Sequence, residues 1–319
     1  MLYIIMELSK LTYFSYLSIK SNILLPLKKF MSNDEVLNVA KKKEFGKKFF
    51  PMPFFLSANE KDISSIKDKR IELKFNGKTI DFLKISSISI FKKKELIDII
   101  FNNKKNVSNH PFVKFIKASG NYLIETREFV EKKTNKKLIK KNFIGFATRN
   151  VPHKGHEKII LHHSKINNVM IHIFEDSSGN KVIDSTKTFN AYKKFIKKNS
   201  LEKKVLLKKI KMPSFLLGPR QAAIHALIGK NLGCKKFIIG RDHSGYKNFY
   251  NIFDSYNFCK NNEKIMNIKI IESGSPIYCY DCKKIVFRKD FKCQNFIDIS
   301  GSYIRKLENK KLIKILSNF

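Results

Sequence analysis

The second half of the chain alternates short apolar runs with stretches of helical spacing. The apolar runs are FIGFAT at 143–148, VMIHIF at 169–174, KKVLL at 203–207 and KFIIG at 236–240, and helical spacing covers 155–164, 188–198, 219–230 and a stretch after Gly245. Short apolar runs predict buried strands, and the periodic stretches between them predict crossover helices. We therefore expect a parallel sheet whose ligands bind at the carboxyl ends of its strands.

The first part of the chain has apolar runs that are broken by turns. The runs are FFPMPFFLSA at 49–58, RIELKF at 70–75 and KTIDFLKISSISIF at 78–91. Asn76-Gly77 separates the last two runs, and it predicts a hairpin because both residues accept positive φ. Helical spacing flanks this β-rich part, around 34–44 and 92–102.

Length and the change of rhythm indicate two compact units with a small appendage. A chain of 319 residues is too long for one small core. A Lys-rich connector at 132–141 separates the β-rich part from the alternating part. We expect an N-terminal domain at 1–136, a catalytic domain at 137–265 and a small C-terminal region at 266–319.

The formal net charge of the chain is +37. Such a charge would ordinarily favour a nucleic acid or an anionic membrane as partner, because clustered cations release counterions from phosphates. Lysines are spread over nearly every segment, however, and Asn, Ile and Phe are abundant, which is typical of a biased genome. We therefore expect neither a nucleic acid nor a membrane as partner.

Arginine is scarce by contrast, with seven in the chain. Four of them, Arg149, Arg220, Arg241 and Arg305, fall within the motifs described below. A planar guanidinium binds a phosphate or sulfate through two hydrogen bonds, whereas an ammonium acts as a point charge. We expect these four positions to require arginine itself.

Cysteine content and hydropathy indicate the compartment. Five cysteines in a chain of this length do not make the dense disulfide framework of a small secreted domain. The N-terminal stretch lacks the basic start and cleavage site of an export signal, and no run approaches the roughly twenty apolar residues of a spanning helix. We expect a soluble, cytoplasmic protein.

The first motif is the strand-to-helix junction FIGFATRNVPHKGHEKII at 143–160. Gly155 permits close approach of the backbone, and free N–H groups at the start of the following helix suit nucleotide phosphates. His153 and His156 are three residues apart, so both can face one anion. Two histidines near a helix start are also common for structural reasons alone.

Two further motifs follow. The segment ISGSYIR at 299–305 is compatible with an ordinary Ser N-cap and an amphipathic helix. The segment LLGPRQAAIHALIGKNLGCKKFIIGRDHSG at 216–245 places the charged cluster Arg241-Asp242-His243 after a strand, where the site of an α/β protein belongs.

Together these motifs resemble the nucleotidylyltransferase superfamily and, through Gly218-Pro219-Arg220, His225-Ala226 and GRDH at 240–243, the ATP sulfurylase family. LLPLKKFM at 24–31 and His110-Pro111 are similar to N-terminal elements of that family. The resemblance implies an α+β, PUA-like, β-rich N-terminal domain, then an α/β Rossmann-like nucleotidylyltransferase domain and a small C-terminal region. The implied reaction converts ATP and sulfate to adenosine 5′-phosphosulfate and pyrophosphate, with Mg²⁺ on the ATP and a homo-oligomeric assembly.

The resemblance also implies roles for individual residues. Sulfate needs no deprotonation at neutral pH, so the chemistry requires positioning and charge stabilisation rather than a general base. The catalytic set is Thr148, Arg149, Asn150, His153 and His156, with Arg149 on sulfate, Thr148, Asn150 and His153 on the α- and β-phosphates, and His156 on the leaving pyrophosphate. Gly240, Arg241, Asp242 and His243 would line the nucleotide, the backbone N–H of Ser244 would face sulfate, and Val286 would lie beside adenine.

Two features depart from the family pattern or leave alternatives open. Ala147 stands where the family usually has Gln, so we expect weaker binding of sulfate or phosphosulfate. Cys279, Cys282 and Cys293 resemble the zinc knuckle of some relatives, but a fourth ligand is unassigned because no histidine follows His243. Four ligands close a structural zinc site, and Asp298, Cys259 or a distant residue could supply the fourth; free buried thiols are at least as good an alternative.

Competing interpretations concern the acceptor and the class of protein. One is a nucleotidylyltransferase for another acceptor, and a second is a basic RNA-binding protein with a PUA-like domain and a degenerate nucleotide site. The direction of the reaction also stays open, because a catalyst leaves the equilibrium unchanged. The same site could activate sulfate for assimilation or form ATP during sulfur oxidation.

Overall fold

The computed structural model of the chain describes residues 4–64, 69–130, 142–175, 184–290, 292 and 294–299. The predicted Lys-rich connector, the predicted boundary between residues 136 and 137, Cys293 and the segment from Ser300 to Arg305 lie outside these residues. Within the described part, no helix is long and apolar enough to cross a membrane.

The N-terminal part is built around a five-stranded sheet of order β1-β5-β6-β7-β4, in which β1 pairs with β5 in parallel and the other pairs are antiparallel. The predicted hairpin is confirmed, because Asn76 and Gly77 connect two of these strands with φ of 52° and 72°. Its elements are β1 (Ile4–Glu7), α1 (Lys10–Lys20), α2 (Asn33–Lys42), β2 (Glu44–Phe45), β3 (Lys48–Phe49), β4 (Ser57–Ala58), α3 (Glu60–Ser64), β5 (Arg70–Phe75), β6 (Lys78–Ile90), α4 (Lys93–Phe101), α5 (Pro111–Ala118) and β7 (Tyr122–Thr126).

The next part is a parallel sheet of order β10-β9-β8-β11-β12. The chain builds outward from β8 to β10 and then returns to place β11 on the other side of β8. The predicted parallel sheet is confirmed, and its strand order reverses between β8 and β11. Its elements are β8 (Phe143–Thr148), α6 (Lys154–Ser164), β9 (Asn168–Glu175), α7 (Ser185–Lys198), β10 (Val205–Lys211), α8 (Pro219–Asn231), β11 (Cys234–Ile239), α9 (Asp254–Asn261), α10 (Glu263–Met266) and β12 (Lys269–Glu272).

A three-stranded antiparallel sheet of order β14-β13-β15 follows. Its strands are β13 (Pro276–Cys279), β14 (Lys284–Phe287) and β15 (Phe296–Asp298), with a short 3₁₀ turn at Arg288–Asp290. This small sheet lies against α6, where Phe287 contacts the ring of His162 edge-on. It therefore brings residues from the end of the chain towards the start of α6.

Apolar side chains cover both faces of the parallel sheet. Residues of α6 and α7 pack on one face in a cluster that includes Ile160 and Tyr192. On the other face, residues of α8 join the N-terminal part in one continuous cluster, in which Phe112 meets Phe215 edge-on at 5.1 Å between ring centroids. Helices on both faces of a parallel sheet are the doubly wound arrangement, which leaves the carboxyl ends of the strands accessible.

Candidate active site

A cavity of about 520 Å³ opens at the carboxyl ends of β8 and β11. This is the point at which the strand order reverses, and open α/β sheets bind ligands there because the loops diverge to either side. Its polar lining comes from the end of β8, from the loops after β8, β11 and β12, from α6, from α8 and from β15: Thr148, Arg149, Asn150, His153, His156, His225, Arg241, Asp242, His243, Ser244, Ser273 and Asp298.

The turn after β8 orients the first group of predicted residues. The Thr148 hydroxyl accepts a hydrogen bond from the backbone N–H of Asn150 over 3.1 Å, a local bond that favours a turn over a continued strand. Arg149 donates from Nη1 to the Ser214 hydroxyl over 3.0 Å. The guanidinium of Arg149 is therefore held at the cavity by a residue that precedes α8.

His153 and His156 occupy the start of α6. His153 is the N-cap residue, and its Nδ1 accepts from the backbone N–H of His156 over 3.4 Å. The two rings stack with centroids 3.7 Å apart. Burial, followed by the charge of the neighbouring His153, holds the pKa of His156 well below its usual value, so His156 is uncharged at neutral pH. The ring also makes a hydrogen bond with the backbone of Val151, so its N–H would donate to an anion by exchanging that partner.

Tyr192 is a supporting residue that the sequence pattern did not identify. Its hydroxyl lies 3.0 Å from His156 Nδ1 and also makes a hydrogen bond with Thr148. The side chain is fully buried in α7, where the helical spacing of 188–198 predicts an ordinary core position. Tyr192 therefore connects two predicted site residues from beneath the cavity.

The loop after β11 carries the second predicted group. Asp242 and Ser244 both have left-handed backbone conformations, with φ of 47° and 59°. The carbonyl oxygen of Ser244 accepts from the Gly218 N–H over 2.9 Å, and a Cβ at Gly245 would lie 1.8 Å from Asp242 Oδ1. A side chain at position 245 would therefore require the Asp242 carboxylate to move.

His243 of this loop is joined to His225 of α8. His225 Nδ1 and His243 Nε2 lie 2.9 Å apart. Burial and the positive charge of Arg149 lower the pKa of His243 to about 4. Burial, followed by the neighbouring His243, holds the pKa of His225 well below its usual value. Both imidazoles are consequently neutral at physiological pH. His225 belongs to one of the motifs identified in the sequence, but no role was predicted for it.

Comparison with known proteins agrees with this arrangement. The family model for ATP-sulfurylase matches residues 122–313, and that for the PUA-like domain matches residues 4–126. The chain belongs to the ATP-sulfurylase family. The family and the fold class predicted from the sequence are confirmed.

Individual relatives of this ATP-sulfurylase family member are distant but similar over most of the chain. The sulfate adenylyltransferase of Carboxydothermus hydrogenoformans is 24% identical over 95% of this chain and 85% of its own length. That of Staphylothermus marinus is 26% identical with the same two coverages. A solved structure described as a hexameric APS kinase from Thiobacillus denitrificans has a TM-score of 0.64 at 13% identity, which shows the fold alone. This chain spans 58% of that solved chain.

Arg220 does not have the anion-binding role expected for the arginines of this ATP-sulfurylase chain. It donates from Nη2 to the Ala40 carbonyl oxygen and from Nη1 to that of Pro51, over 2.7 and 2.8 Å. The guanidinium therefore joins the start of α8 to the N-terminal part. Arg241, in contrast, lines the cavity and forms an ion pair with Asp298 at 2.7 Å.

Val286, Cys279 and Cys282 do not line the cavity. Val286 pairs with Ile277 between β14 and β13 and is not among the residues lining the cavity, so its adenine role stays a prediction from the resemblance. Cys279 accepts a hydrogen bond from the Cys282 N–H over 3.2 Å. No group of three metal-binding side chains occurs among the described residues, and Cys293 is outside them, so the zinc site is not tested.

Proposed function

We propose that this chain is a sulfate adenylyltransferase, which converts ATP and sulfate to adenosine 5′-phosphosulfate and pyrophosphate. The curated relatives that match most of its length carry that name. The observation on which the proposal depends is that Arg149, His153 and His156 lie together with the loop of residues 240–244 around one cavity. Both reactants, ATP and sulfate, are anions, and cationic and N–H donors stabilise them in the site.

The proposed reaction needs no proton transfer. A sulfate oxygen attacks the α-phosphorus of ATP in line, a new P–O bond forms, and the bond to the oxygen bridging the α- and β-phosphates breaks. The electron pair of that bond leaves with pyrophosphate. Preorganised donors that meet the developing negative charge lower the barrier, and positioning of the two reactants supplies the rest.

We assign roles within this reaction to the lining residues. Arg149 and the backbone N–H of Ser244 would bind sulfate, and Thr148, Asn150 and His153 would bind the α- and β-phosphates at the start of α6. His156, neutral because burial lowers its pKa, would donate to the leaving pyrophosphate. Gly240, Arg241, Asp242 and His243 would line the nucleotide. The domain boundaries predicted at 136 and 265 belong to the same proposal.

The residues present fit Mg²⁺ that arrives on the nucleotide. Mg²⁺ retains several waters and is usually bound through one or two carboxylates together with substrate phosphates. Two carboxylates occur in the described lining, and Asp298 is paired with Arg241. Asp242 would therefore contact the metal or its waters. Bound in this way, Mg²⁺ would neutralise charge on the phosphates.

We further propose that the chain forms a homo-oligomer. The structural neighbour, which is described as hexameric, supports this proposal. Sedimentation or light scattering of the purified protein tests the proposal directly, because a monomer of 37.3 kDa is easily distinguished from an assembly.

Sulfate-dependent exchange of labelled pyrophosphate into ATP tests the activity. We expect exchange by the unaltered chain with sulfate present and none without it. Arg149→Ala and His156→Ala should each reduce the rate by about 100-fold or more, because removal of one preorganised donor typically costs that much. Arg70→Ala and His162→Ala, which alter exposed residues outside the cavity, are the matched controls. Sulfate-independent exchange, or full activity of Arg149→Ala, would contradict the proposal.

A further inference from the structure

His225 is a buried histidine that contacts a predicted nucleotide-binding residue. It lies on α8 with 4% of its surface exposed, and its ring stacks on Phe174 with centroids 4.0 Å apart and planes 18° apart. The Nδ1 atom of His225 is 2.9 Å from Nε2 of His243. Stacking on one side and a hydrogen bond on the other leave the His225 ring little freedom to rotate.

The hydrogen bond couples the tautomers of the two rings. A neutral imidazole has one N–H and one unprotonated nitrogen, so one ring of a neutral pair must donate and the other must accept. If His225 donates from Nδ1, then His243 accepts at Nε2 and its own proton is on Nδ1. If His243 donates instead, its Nδ1 is a bare lone pair. The choice made at His225 therefore determines what His243 offers to a ligand.

The surroundings of His243 favour the first arrangement. His243 lines the cavity with Arg149, and an anionic ligand there is stabilised by an N–H and repelled by a lone pair. The backbone at His243 is held independently, because the Ser255 hydroxyl donates to the His243 carbonyl oxygen over 2.9 Å. Loss of the bond from His225 should consequently alter the ring of His243 without releasing its loop.

We propose that His225 is a positioning residue for the nucleotide site: it donates from Nδ1 to His243, holds the His243 ring at the cavity wall and keeps the His243 proton on Nδ1. This inference rests on the proposed function, because that function implies a ligand that carries phosphates. It extends that function because His225 of α8, behind the loop of residues 240–244, determines whether His243 presents an N–H to the nucleotide.

Substitution of His225 with Asn or with Gln distinguishes the position of the N–H donor from its mere presence. Asn at 225 places an amide nitrogen close to the position of Nδ1, whereas Gln places it one methylene further along the side chain. His225→Asn should retain kcat/KM for ATP within about threefold, and His225→Gln should lose about tenfold, the factor expected for one hydrogen bond. His163→Gln, at a partly buried histidine of α6 that does not line the cavity, is the control for histidine loss.

Nitrogen NMR of the intact, histidine-labelled chain reads the tautomer directly. The chain has eight histidines, and His243→Asn assigns the signals of His243 by their disappearance. We expect His243 to be protonated at Nδ1 in the unaltered chain and in His225→Asn, and to exchange between tautomers in His225→Gln. A His243 proton on Nε2 in the unaltered chain, or equal activity of the two amide variants, would overturn the proposal. Absence of sulfate-dependent exchange in the unaltered chain would instead refute the proposed function, and the NMR result would still test the pairing.

Discussion

The guanidinium of Arg220 donates a hydrogen bond to the carbonyl oxygen of Ala40 over 2.7 Å, from the first turn of α8 to the last turn of α2. Burial lowers the pKa of Arg220 to about 10, so the guanidinium is charged at neutral pH. Its buried charge depends on the carbonyl oxygens of Ala40 and Pro51. The C-terminal end of a helix favours a cation, because its unpaired carbonyls carry partial negative charge. The sequence suggested that the positive charge of Arg220 binds an anion. In the structure, carbonyl oxygens of the protein itself stabilise that charge.

We predict that Arg220→Lys destabilises the fold. Lysine has a single nitrogen and can reach one of the two carbonyl oxygens, so one charge-assisted hydrogen bond is lost, a loss of about 1.5–3 kcal/mol. Urea unfolding followed by circular dichroism measures the change. Arg70→Lys, at an exposed position of β5, is the control and should alter the free energy of unfolding by less than about 0.5 kcal/mol. Equal effects of the two substitutions would argue against this role of Arg220.

Tyr192→Phe should impair catalysis, although Tyr192 lies beneath the cavity and does not line it. The substitution removes the hydroxyl that lies 3.0 Å from His156 Nδ1 and leaves that buried nitrogen without this partner. We expect about a tenfold lower exchange rate and about 1–3 kcal/mol lower stability. Tyr280→Phe, at an exposed tyrosine, provides the comparison. Unchanged exchange in Tyr192→Phe would show that His156 is oriented by other contacts.

Stability should fall as the pH is lowered from 7 to 5. Burial lowers the pKa of His172 to about 3, below the value of about 6.5 in an unfolded chain. The unfolded state therefore binds a proton first as the pH falls, and the stability present above pH 6.5 is progressively lost. Linkage gives about 2 kcal/mol from this group between pH 7 and pH 5.

His172→Gln tests this linkage. The variant should show a pH dependence of unfolding that is smaller by about 2 kcal/mol over the same interval. His162→Gln removes an exposed imidazole and serves as the matched control. If His172→Gln retained the whole pH dependence, the loss of stability would have to arise from other groups.

Ala147→Gln should strengthen sulfate binding. Ala147 lines the cavity two residues before Arg149, at the position where the resemblance described above leads us to expect Gln. An added amide that reaches the anion would contribute about 1.5–3 kcal/mol, which corresponds to a KM for sulfate at least about tenfold lower. Ala147→Leu fills similar space without a donor and should not lower this KM. An unchanged KM in Ala147→Gln would contradict the role inferred for this position.

Much of the parallel sheet could be predicted from sequence, because its strands are buried on both faces and read as continuous apolar runs. The run at 143–148 coincides with β8, and the run at 219–230 with α8 apart from one residue. Helix α1 was not predicted, since its Tyr, Ile and Ser residues have no strong preference for a helix. The apolar run at 49–58 is mostly irregular, and its two prolines cannot donate to a sheet.

The site was predictable where function requires a particular residue at a strand end, and less so where distant elements meet. Arg149 follows β8 directly and His153 caps the start of α6, so their position at the cavity follows from the fold. Tyr192, Ser214 and the pairing of His225 with His243 depend on contacts between elements, which a local pattern does not encode. Arg220 was grouped with the anion-binding arginines because a local pattern does not show the carbonyl oxygens of Ala40 and Pro51 that its guanidinium contacts.

Side chains of the PUA-like region and of α8 fill the same interior, and Arg220 joins them. Cutting the chain near residue 122, where the two family models meet, would expose that interior on both fragments. The two domains are therefore separate in sequence classification, yet they share one apolar interior that neither fragment alone would keep covered.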